Sequence, residues 1–243
     1  MRVPVFFLIA PLFIVDLASA QITELPMYRP ALIGSGPNAL INRIDTQDLI
    51  KKGQKDAALM FCCHVGKNGE ISWSGTYRAT PDSQLLEQEV QKKMAPATGA
   101  TLIPAVYHHQ LADVFYYGTV IFKIVEGKPR LRIFANQETG ELKNEADFIS
   151  PQLLFGGESK FTGFRYPEQE SRLPANGSAD VHMKIDADGN VQQATLVTEE
   201  PPFLGFGEAA IAQFKEATFT PAFRNGKPVA CEVTLPAFFK PTK

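Results

Sequence analysis

The segment from Asn176 to Phe239 constrains the fold of this chain most, because its hydrophobic pattern changes twice. Apolar and polar residues alternate from Ala179 to Asp186, which predicts a strand with one buried face. Asp188-Gly189 is a hairpin signal, and the apolar residues between Val191 and Val197 predict the return strand. The alternation then stops.

A helix and a last strand complete this segment. Phe206, Ala210 and Phe214 recur every four residues, which places them on one face of a helix. Asn225-Gly226 indicates another turn, and the alternation returns from Val229 to Leu235. The order hairpin, helix, strand predicts an α+β fold, in which one helix packs across a small antiparallel sheet.

The segment resembles the C-terminal domain of TonB-like energy transducers of the bacterial envelope, over roughly residues 150 to 243. The matching motifs are Tyr166-Pro167, Ile185-Asp186-x-Asp188-Gly189-x-Val191, Ala209-Ala210, Phe219-x-Pro221-Ala222, Asn225-Gly226-Lys227-Pro228-Val229 and Pro236-Ala237-Phe238. One departure lies at Ala217-Thr218-Phe219, where that family usually has Trp or Arg before the Phe. The resemblance implies a non-catalytic envelope domain that binds proteins and is linked to TonB-type transmembrane transport.

The first twenty residues have the features of a secretory signal peptide. Val3 to Val15 is an apolar run after the positive Arg2, and Ala18-Ser19-Ala20 fits a small-x-small cleavage site. The run is shorter than the about 20 apolar residues that a membrane span needs. We therefore predict a signal peptide at residues 1–20 and a periplasmic or secreted chain that begins at Gln21. The alternative is an uncleaved inner-membrane anchor, which TonB itself carries.

Charge and proline content bear on two functions. A formal net charge of −2 gives no electrostatic reason to expect nucleic-acid binding. The 18 prolines are scattered rather than gathered in a run, whereas a transducer needs a long extended spacer as well as an anchor. The sequence therefore favours a soluble adaptor with TonB-like modules over a true energy transducer.

Three cysteines are present, and an odd number leaves at least one thiol unpaired within the chain. Cys62 and Cys63 are neighbours on a predicted strand, so their side chains should point to opposite faces. Cys63 and Cys231 fall on apolar positions and are predicted to be buried free thiols. A disulfide from Cys62 to another chain is the alternative for that residue.

The signals of the C-terminal segment also occur earlier in the chain. Alternation from Phe61 to Val65 leads to a turn at Gly69, which precedes Gly189 by 120 positions. Pro81 and Pro201 keep the interval, and so does the helix stripe formed by Leu86, Val90 and Met94 against Phe206, Ala210 and Phe214. After the helix the interval falls to 117, at Pro104-Ala105 and Pro221-Ala222. A turn, a proline and a helix stripe in one register indicate an internal repeat.

We therefore predict two tandem TonB C-terminal-like modules, each a small antiparallel sheet with one helix. The first, diverged module covers residues 21–137, a linker covers residues 138–150, and the second module covers residues 151–243. The first module should also have a longer end. Apolar residues from Val114 to Val125 and from Leu131 to Ala135 predict a hairpin there, where the second module has one strand.

The chain carries no catalytic motif that we recognise. It has neither a G-x-S-x-G elbow nor a G-x-x-x-x-G-K-[ST] phosphate loop. Cys62-Cys63-His64 cannot all face one ion from a strand, and no second ligand pair follows at zinc spacing. Asp186-x-Asp188-Gly189 has its glycine too early for a calcium loop. We therefore predict no enzyme activity, no cofactor and no metal.

The last strand is the predicted binding site. In TonB-like domains it lies at a sheet edge, where a partner can add an extended segment through main-chain hydrogen bonds. We expect the partner, an extended segment of an envelope protein, to contact Val229, Ala230, Cys231, Glu232, Val233 and Thr234, with Glu232 and Thr234 pointing outward. Pro236 has no N–H and is expected to end the ladder.

Two alternatives remain for this strand. It can pair with the other module or with a second chain, which would make the protein a structural scaffold or a homodimer with both sheet edges paired. An enzyme with a site between the modules would need convergent polar groups in an apolar cleft, and the sequence offers no pair of residues for that role.

Overall fold

The computed structural model describes residues 24–144, 147–167 and 175–241, so the predicted signal peptide lies outside the described residues. The N-terminal half contains β1 (Tyr28–Arg29), α1 (Leu40–Arg43), α2 (Thr46–Lys51), β2 (Ala57–Val65), β3 (Ile71–Ala79), α3 (Gln84–Met94), β4 (Ala105–Tyr107), β5 (Gln110–Ala112), β6 (Val114–Val125) and β7 (Lys128–Phe134). The C-terminal half contains α4 (Thr139–Asn144), β8 (Phe148–Ile149), β9 (Gln152–Leu154), β10 (Gly177–Ile185), β11 (Val191–Glu200), α5 (Phe206–Glu216), β12 (Phe219–Thr220), β13 (Ala222–Arg224), β14 (Lys227–Val229) and β15 (Cys231–Phe239). The predicted α+β class is confirmed.

The same main sheet occurs in both halves. The antiparallel strand order is β3-β2-β6 in the first module and β11-β10-β15 in the second. The hairpins have register irregularities after Met60 and His64 in one module and after Asp180 and Lys184 in the other, at the same interval of 120. The two halves therefore correspond in the positions of their register irregularities as well as in their sequence pattern.

A smaller sheet also occurs twice, as β1-β4-β5 and β8-β13-β14. Each contains a two-residue hairpin turn in which both central residues have positive φ, as a type I′ turn requires. The turn is His108-His109 (φ 47° and 63°) in the first module and Asn225-Gly226 (φ 51° and 73°) in the second. The Asn225-Gly226 turn was predicted, and the two histidines prove to occupy the corresponding turn.

Each helix covers one face of its sheet with the predicted stripe. Leu86, Val90 and Met94 of α3, and Phe206, Ala210 and Phe214 of α5, are all buried. Burial of large apolar side chains of this kind is the main stabilising contribution to a small domain. The two helix assignments and their buried faces are confirmed.

The first module differs from the second by its additional strands. β7 pairs with β6 from Thr119↔Phe134 to Val125↔Lys128, which confirms the predicted long hairpin. β9, which follows the predicted linker, also pairs with β6, and β12 continues the sheet beyond it. Strand β9, near the start of the predicted second module, is therefore paired with a strand of each module.

The outer faces of the two main sheets, away from α3 and α5, have opposite character. In the first module, Cys62 and Tyr117 are buried there with half-buried Tyr77, in the cluster that contains the second module's core. By the repeat register, the corresponding residues of the second module are His182, Thr234 and Val197. Val197 is 59% exposed. The first sheet is thus covered on both sides, whereas the outer side of the second faces solvent around His182 and Val197 and is covered only at its end formed by residues 236–238, where Phe238 lies against Tyr77.

The cysteines lie as predicted on opposite faces. Cys63 belongs to the first module's core and Cys62 to the second cluster, and all three cysteines are free. Cys62 is only 2% exposed, and burial raises its pKa to about 12. The alternative of a disulfide from Cys62 to another chain would require this buried thiol to become accessible. Cys231 is half-buried rather than fully buried.

Among the described residues, no helix combines the length and hydropathy that crossing a membrane requires.

Candidate protein-binding edge of the second module

The last strand, β15, lies at an edge of its sheet. It pairs with β10 without interruption from Ile185↔Cys231 to Gly177↔Phe239. Val229, predicted to begin this strand, instead ends β14 and pairs with Ala222, and Ala230 lies between the two strands. The predicted start of the edge strand was therefore two residues too early, because the Asn225-Gly226 hairpin takes Val229 for its own ladder.

The main chain of Thr234 shows which residues of β15 face away from β10. Its N–H donates to Oε1 of Glu138 (2.9 Å), and its carbonyl accepts from Nε2 of Gln137 (3.0 Å). Main-chain groups alternate in direction along an antiparallel strand, so Glu232 also faces outward, whereas Val233 faces β10. Of the six predicted contact residues, the strand geometry brings together only Glu232 and Thr234 as main-chain partners for another strand.

Pro236 does not end the ladder, contrary to the sequence-based expectation. It pairs with Asp180, and pairing continues to Phe239. Pro236 has the same phase as Thr234, so its missing N–H would point away from β10 and costs the sheet nothing. Its carbonyl accepts a hydrogen bond from the Tyr117 hydroxyl of the first module (3.2 Å).

Three side chains therefore close the central part of the β15 edge. Gln137 and Glu138 hold Thr234, and Tyr117 holds Pro236. We call these three residues the edge cap. The sequence analysis missed them, since each is more than 90 residues from its partner along the chain and no local pattern marks such a contact.

The segment that carries the cap is anchored on the second module. Nη1 and Nη2 of Arg224 both donate to the Glu141 carboxylate of α4. The Arg224 guanidinium also lies 4.9 Å from the ring centre of Phe148, and the N–H of Asn225 donates to the carbonyl of Asp147 (3.1 Å). These contacts place Gln137 and Glu138 against β15.

The beginning of β15 is not capped in this way. A groove of about 430 Å3 lies between Glu138 and Glu141 on one side and residues 229–232 on the other. No side chain of the described residues bonds to the main chain of Glu232. The groove thus exposes one outward pair of main-chain groups at the start of the edge.

The side chain of Glu232 is held over β10. Its carboxylate lies 3.0 Å from Nζ of Lys184 and 3.2 Å from Nε2 of His182. Hydrogen bonds from Lys184 first, and from His182 second, lower the pKa of the Glu232 carboxyl group. The carboxylate is therefore drawn away from the edge, which leaves the main chain of Glu232 accessible from the groove.

The neighbouring thiol has no apparent chemical role. Burial is the main cause that raises the pKa of Cys231 to about 12, so the thiol is protonated at neutral pH. A protonated thiol is a poor nucleophile and a poor metal ligand. Cys231 therefore contributes to packing at the start of β15.

The corresponding edge of the first module is occupied by a strand. Val65↔Val114 in one module corresponds to Ile185↔Cys231 in the other, so Val114 and Phe115 correspond to Cys231 and Glu232. Val114 and Phe115 pair with Leu154 and Leu153 of β9. The stretch that is open in β15 is thus the stretch that accepts an added strand in β6.

Comparison with known proteins identifies the second module. Residues 162–241 match the model of the family described as Gram-negative bacterial TonB protein C-terminal. The comparison with curated proteins found no significant match. The family match covers β10 to β15 and includes α5, and it supports the resemblance drawn from the sequence motifs. Residues 162–241 are therefore similar to the C-terminal domain of Gram-negative bacterial TonB proteins.

Proposed function

We propose that this chain is a non-catalytic protein-binding adaptor of the bacterial envelope, which adds an extended segment of its partner to β15 at Glu232. The observation that carries the proposal is the pairing of β9 with Val114 and Phe115 of β6. The same fold position is open in the second module. A free strand edge with unpaired N–H and C=O groups favours the addition of another strand.

The pairing of β9 also suggests which partner would fit. Leu154 packs in the first module's core, and the next residue, Phe155, packs against His64 and Phe115 on the outer face. In the second module, His64 and Phe115 are replaced by Lys184 and Glu232. A partner strand should therefore be antiparallel to β15, apolar towards the core, and polar or charged towards the outer face.

The edge cap would regulate this binding. A strand that extends from Glu232 towards Pro236 must replace the bonds that Gln137 and Glu138 make to Thr234. Their loss is offset by new main-chain bonds to the partner, so the net gain is small and affinity depends on the side-chain contacts. The cap also hides the edge from unwanted strand pairing while no partner is bound.

The wider assignment follows from the family of the second module. We infer that the first module is a diverged copy of the second, that the chain reaches the periplasm through cleavage of residues 1–20, and that its partner takes part in TonB-type transport. The division into modules at residues 21–137 and 151–243, with a linker at 138–150, belongs to the same proposal.

Photo-crosslinking tests the proposal directly. A photoreactive amino acid replaces Glu232 in the full-length chain, produced in Gram-negative cells, and the same amino acid replaces exposed Lys215 of α5 as the control. We expect an adduct with an envelope protein from position 232 and none from position 215. Adducts of equal yield and identity at both positions would argue against a site at the edge.

A proline scan of the edge supplies the matched variants. Thr234→Pro removes an outward N–H that a partner strand extending beyond Glu232 would use and should lower the adduct yield, whereas the sheet already tolerates Pro236 at an outward position. Gln137→Ala/Glu138→Ala removes two members of the cap and should raise the adduct yield. Val233→Pro is unsuitable, because the Val233 N–H faces β10 and its loss would damage the fold itself.

The alternative function is a structural scaffold with its edges paired internally. The edge cap and the β12-β9-β6 continuity favour it. It predicts that the Thr234 amide exchanges with solvent only on global unfolding. The adaptor predicts exchange of Thr234 through a local opening, well before the core strands exchange.

A further inference from the structure

The hairpin formed by β6 and β7 has no counterpart in the second module, and the proposed partner binding does not use it. Its tip, residues 123–130, extends past the end of β2, whose last pair with β6 is Ala57↔Phe122. The turn residues Glu126 and Gly127 both have positive φ, so the tip is a tight type I′ turn. This is a short, well-defined projection.

Cations outnumber anions on this projection, where Glu126 is the one acidic residue among positions 123–130, although the whole chain has a formal net charge of −2. Lys123, Lys128 and Arg130 are exposed, and Lys123 stands directly opposite Arg130 across the two strands. Like charges at directly opposed positions destabilise a sheet. Among the ion pairs formed by the described residues, none involves these three side chains.

The tip also carries apolar surface. Ile124 is 38% exposed and Val125 is 47% exposed, and both lie between Lys123 and the turn. Val125 pairs with Lys128 and shares a face of the hairpin with Lys123 and Arg130, whereas Ile124 lies on the opposite face. The main chain is fixed at the same point, because the N–H of Ile124 donates to the Asp56 carboxylate (2.8 Å).

We propose that this hairpin binds an anionic membrane surface, with the three cations on lipid phosphates and Ile124 and Val125 in the headgroup region. Charge complementarity favours an anionic occupant, since an anion between Lys123 and Arg130 would relieve the repulsion of these opposed cations. The apolar tip distinguishes a membrane from a soluble polyanion, because only a membrane provides an apolar layer behind the charges.

Vesicle co-sedimentation of the full-length chain tests this inference. The probes are vesicles of phosphatidylglycerol mixed with phosphatidylcholine, and vesicles of phosphatidylcholine alone. We expect binding only to the first, weakening as salt rises, because salt screens exposed charges. Lys123→Gln/Arg130→Gln should weaken binding about 25-fold, at about fivefold for each cation lost near an anionic surface.

The control variant removes the same amount of positive charge, but from a different part of the molecule. Lys92→Gln/Lys215→Gln removes two exposed lysines from the module helices and should change vesicle binding less than about twofold if the hairpin is the contact. Equal weakening by both double variants would overturn the inference, since it would then reflect net charge alone.

A second variant separates the membrane from a soluble polyanion. Ile124→Ser/Val125→Ser should weaken binding to the anionic vesicles and leave binding to dextran sulfate unchanged. Vesicle binding that survives this change, together with dextran sulfate binding that depends on Lys123 and Arg130, would show a polyanion site and contradict the membrane assignment. Circular dichroism checks that each variant is folded, which is expected because all the changed residues are exposed.

Discussion

The two modules share one architecture and differ in their outer faces, and this difference decides what each can bind. Cys62 and Tyr117 of the first sheet are buried against the second module, whereas the corresponding His182 and Thr234 belong to a polar surface. The inner face fixes the hairpin, helix and strand in both cases. The residues of the outer face then determine whether that face is buried against the other module or exposed to solvent.

The edge strands of the two sheets also differ in how far they are covered. β6 is paired along its outer side with β7 and β9, whereas β15 has, among the described residues, the side-chain cap alone on its outer side. In the first module, strands of the same chain thus occupy the outer side of the edge strand. In the second module the corresponding position, at Glu232, is open, which is the arrangement expected if that module binds a partner strand there.

The largest expected loss of stability tests the buried helix face that the two modules share. Phe214 is fully buried on α5 and packs against Phe164 and Phe219. Phe214→Ala should lower the free energy of unfolding by about 3–5 kcal/mol, and Met94→Ala, at the corresponding position of α3, by about 2–5 kcal/mol. Urea unfolding measures both. Lys215→Ala is the control, and a loss at Phe214 no greater than at Lys215 would discredit the helix assignment.

The next effect tests the outer-face difference. Tyr117→Thr gives the first module the residue of the second, and removes both a buried ring and the hydrogen bond to Pro236. We expect a loss of about 3 kcal/mol in urea unfolding. The reverse change, Thr234→Tyr, should change stability by less than about 1 kcal/mol. Similar losses from the two changes would mean that the two outer faces are equivalent.

A smaller loss of stability, expected from substitution of the hairpin-turn glycine, should be equal in the two modules. Gly69 and Gly189 have φ of 82° and 90°, and a Cβ would lie 2.1 Å and 1.9 Å from the carbonyl oxygens of Leu102 and Phe219. Alanine at either position should cost about 1–3 kcal/mol through backbone strain, and more where the carbonyl cannot move. Gly36→Ala, which meets open space, is the control for thermal denaturation. A cost in only one module would break the structural correspondence at these turns.

The smallest effect concerns pH and belongs to the first module alone. Burial lowers the pKa of His64 below its ordinary value of 6.5. The unfolded chain therefore binds this proton more readily, so the contribution of neutral His64 is fully present above about pH 6.5 and is lost as the pH falls. Urea midpoints across this range should decline less in His64→Gln than in the unchanged chain. Lys215→Gln, an exposed change on α5, is the control and should leave the decline unaltered.

Much of the fold follows from local patterns in the sequence. The helix stripes were predictable because apolar residues at a spacing of four must share a helix face. The hairpin turns were predictable from Asp188-Gly189 and Asn225-Gly226, which tolerate positive φ. The interval of 120 residues allowed the weaker signals of the first module to be interpreted through the second.

The limits of the binding edge were less predictable, because they depend on contacts between distant residues. Alternation continues through Val229, and only the pairing of Val229 with Ala222 assigns it to another strand. Pro236 breaks a ladder only if its nitrogen faces the neighbouring strand, and that phase is a property of the sheet. The bonds from Gln137 and Glu138 to Thr234 arise from the packing of the connecting segment and have no local signature.

Hydrogen exchange at two corresponding amides tests the central difference most directly. In the full-length chain, the Phe115 amide faces β9 and should exchange slowly, whereas the corresponding Glu232 amide faces the groove and should exchange rapidly. Nuclear magnetic resonance can follow both in one sample. Rapid exchange at Glu232 with slow exchange at Phe115 is the result we expect. Equally slow exchange at the two amides would mean that the β15 edge is already paired, and would contradict a binding edge at Glu232.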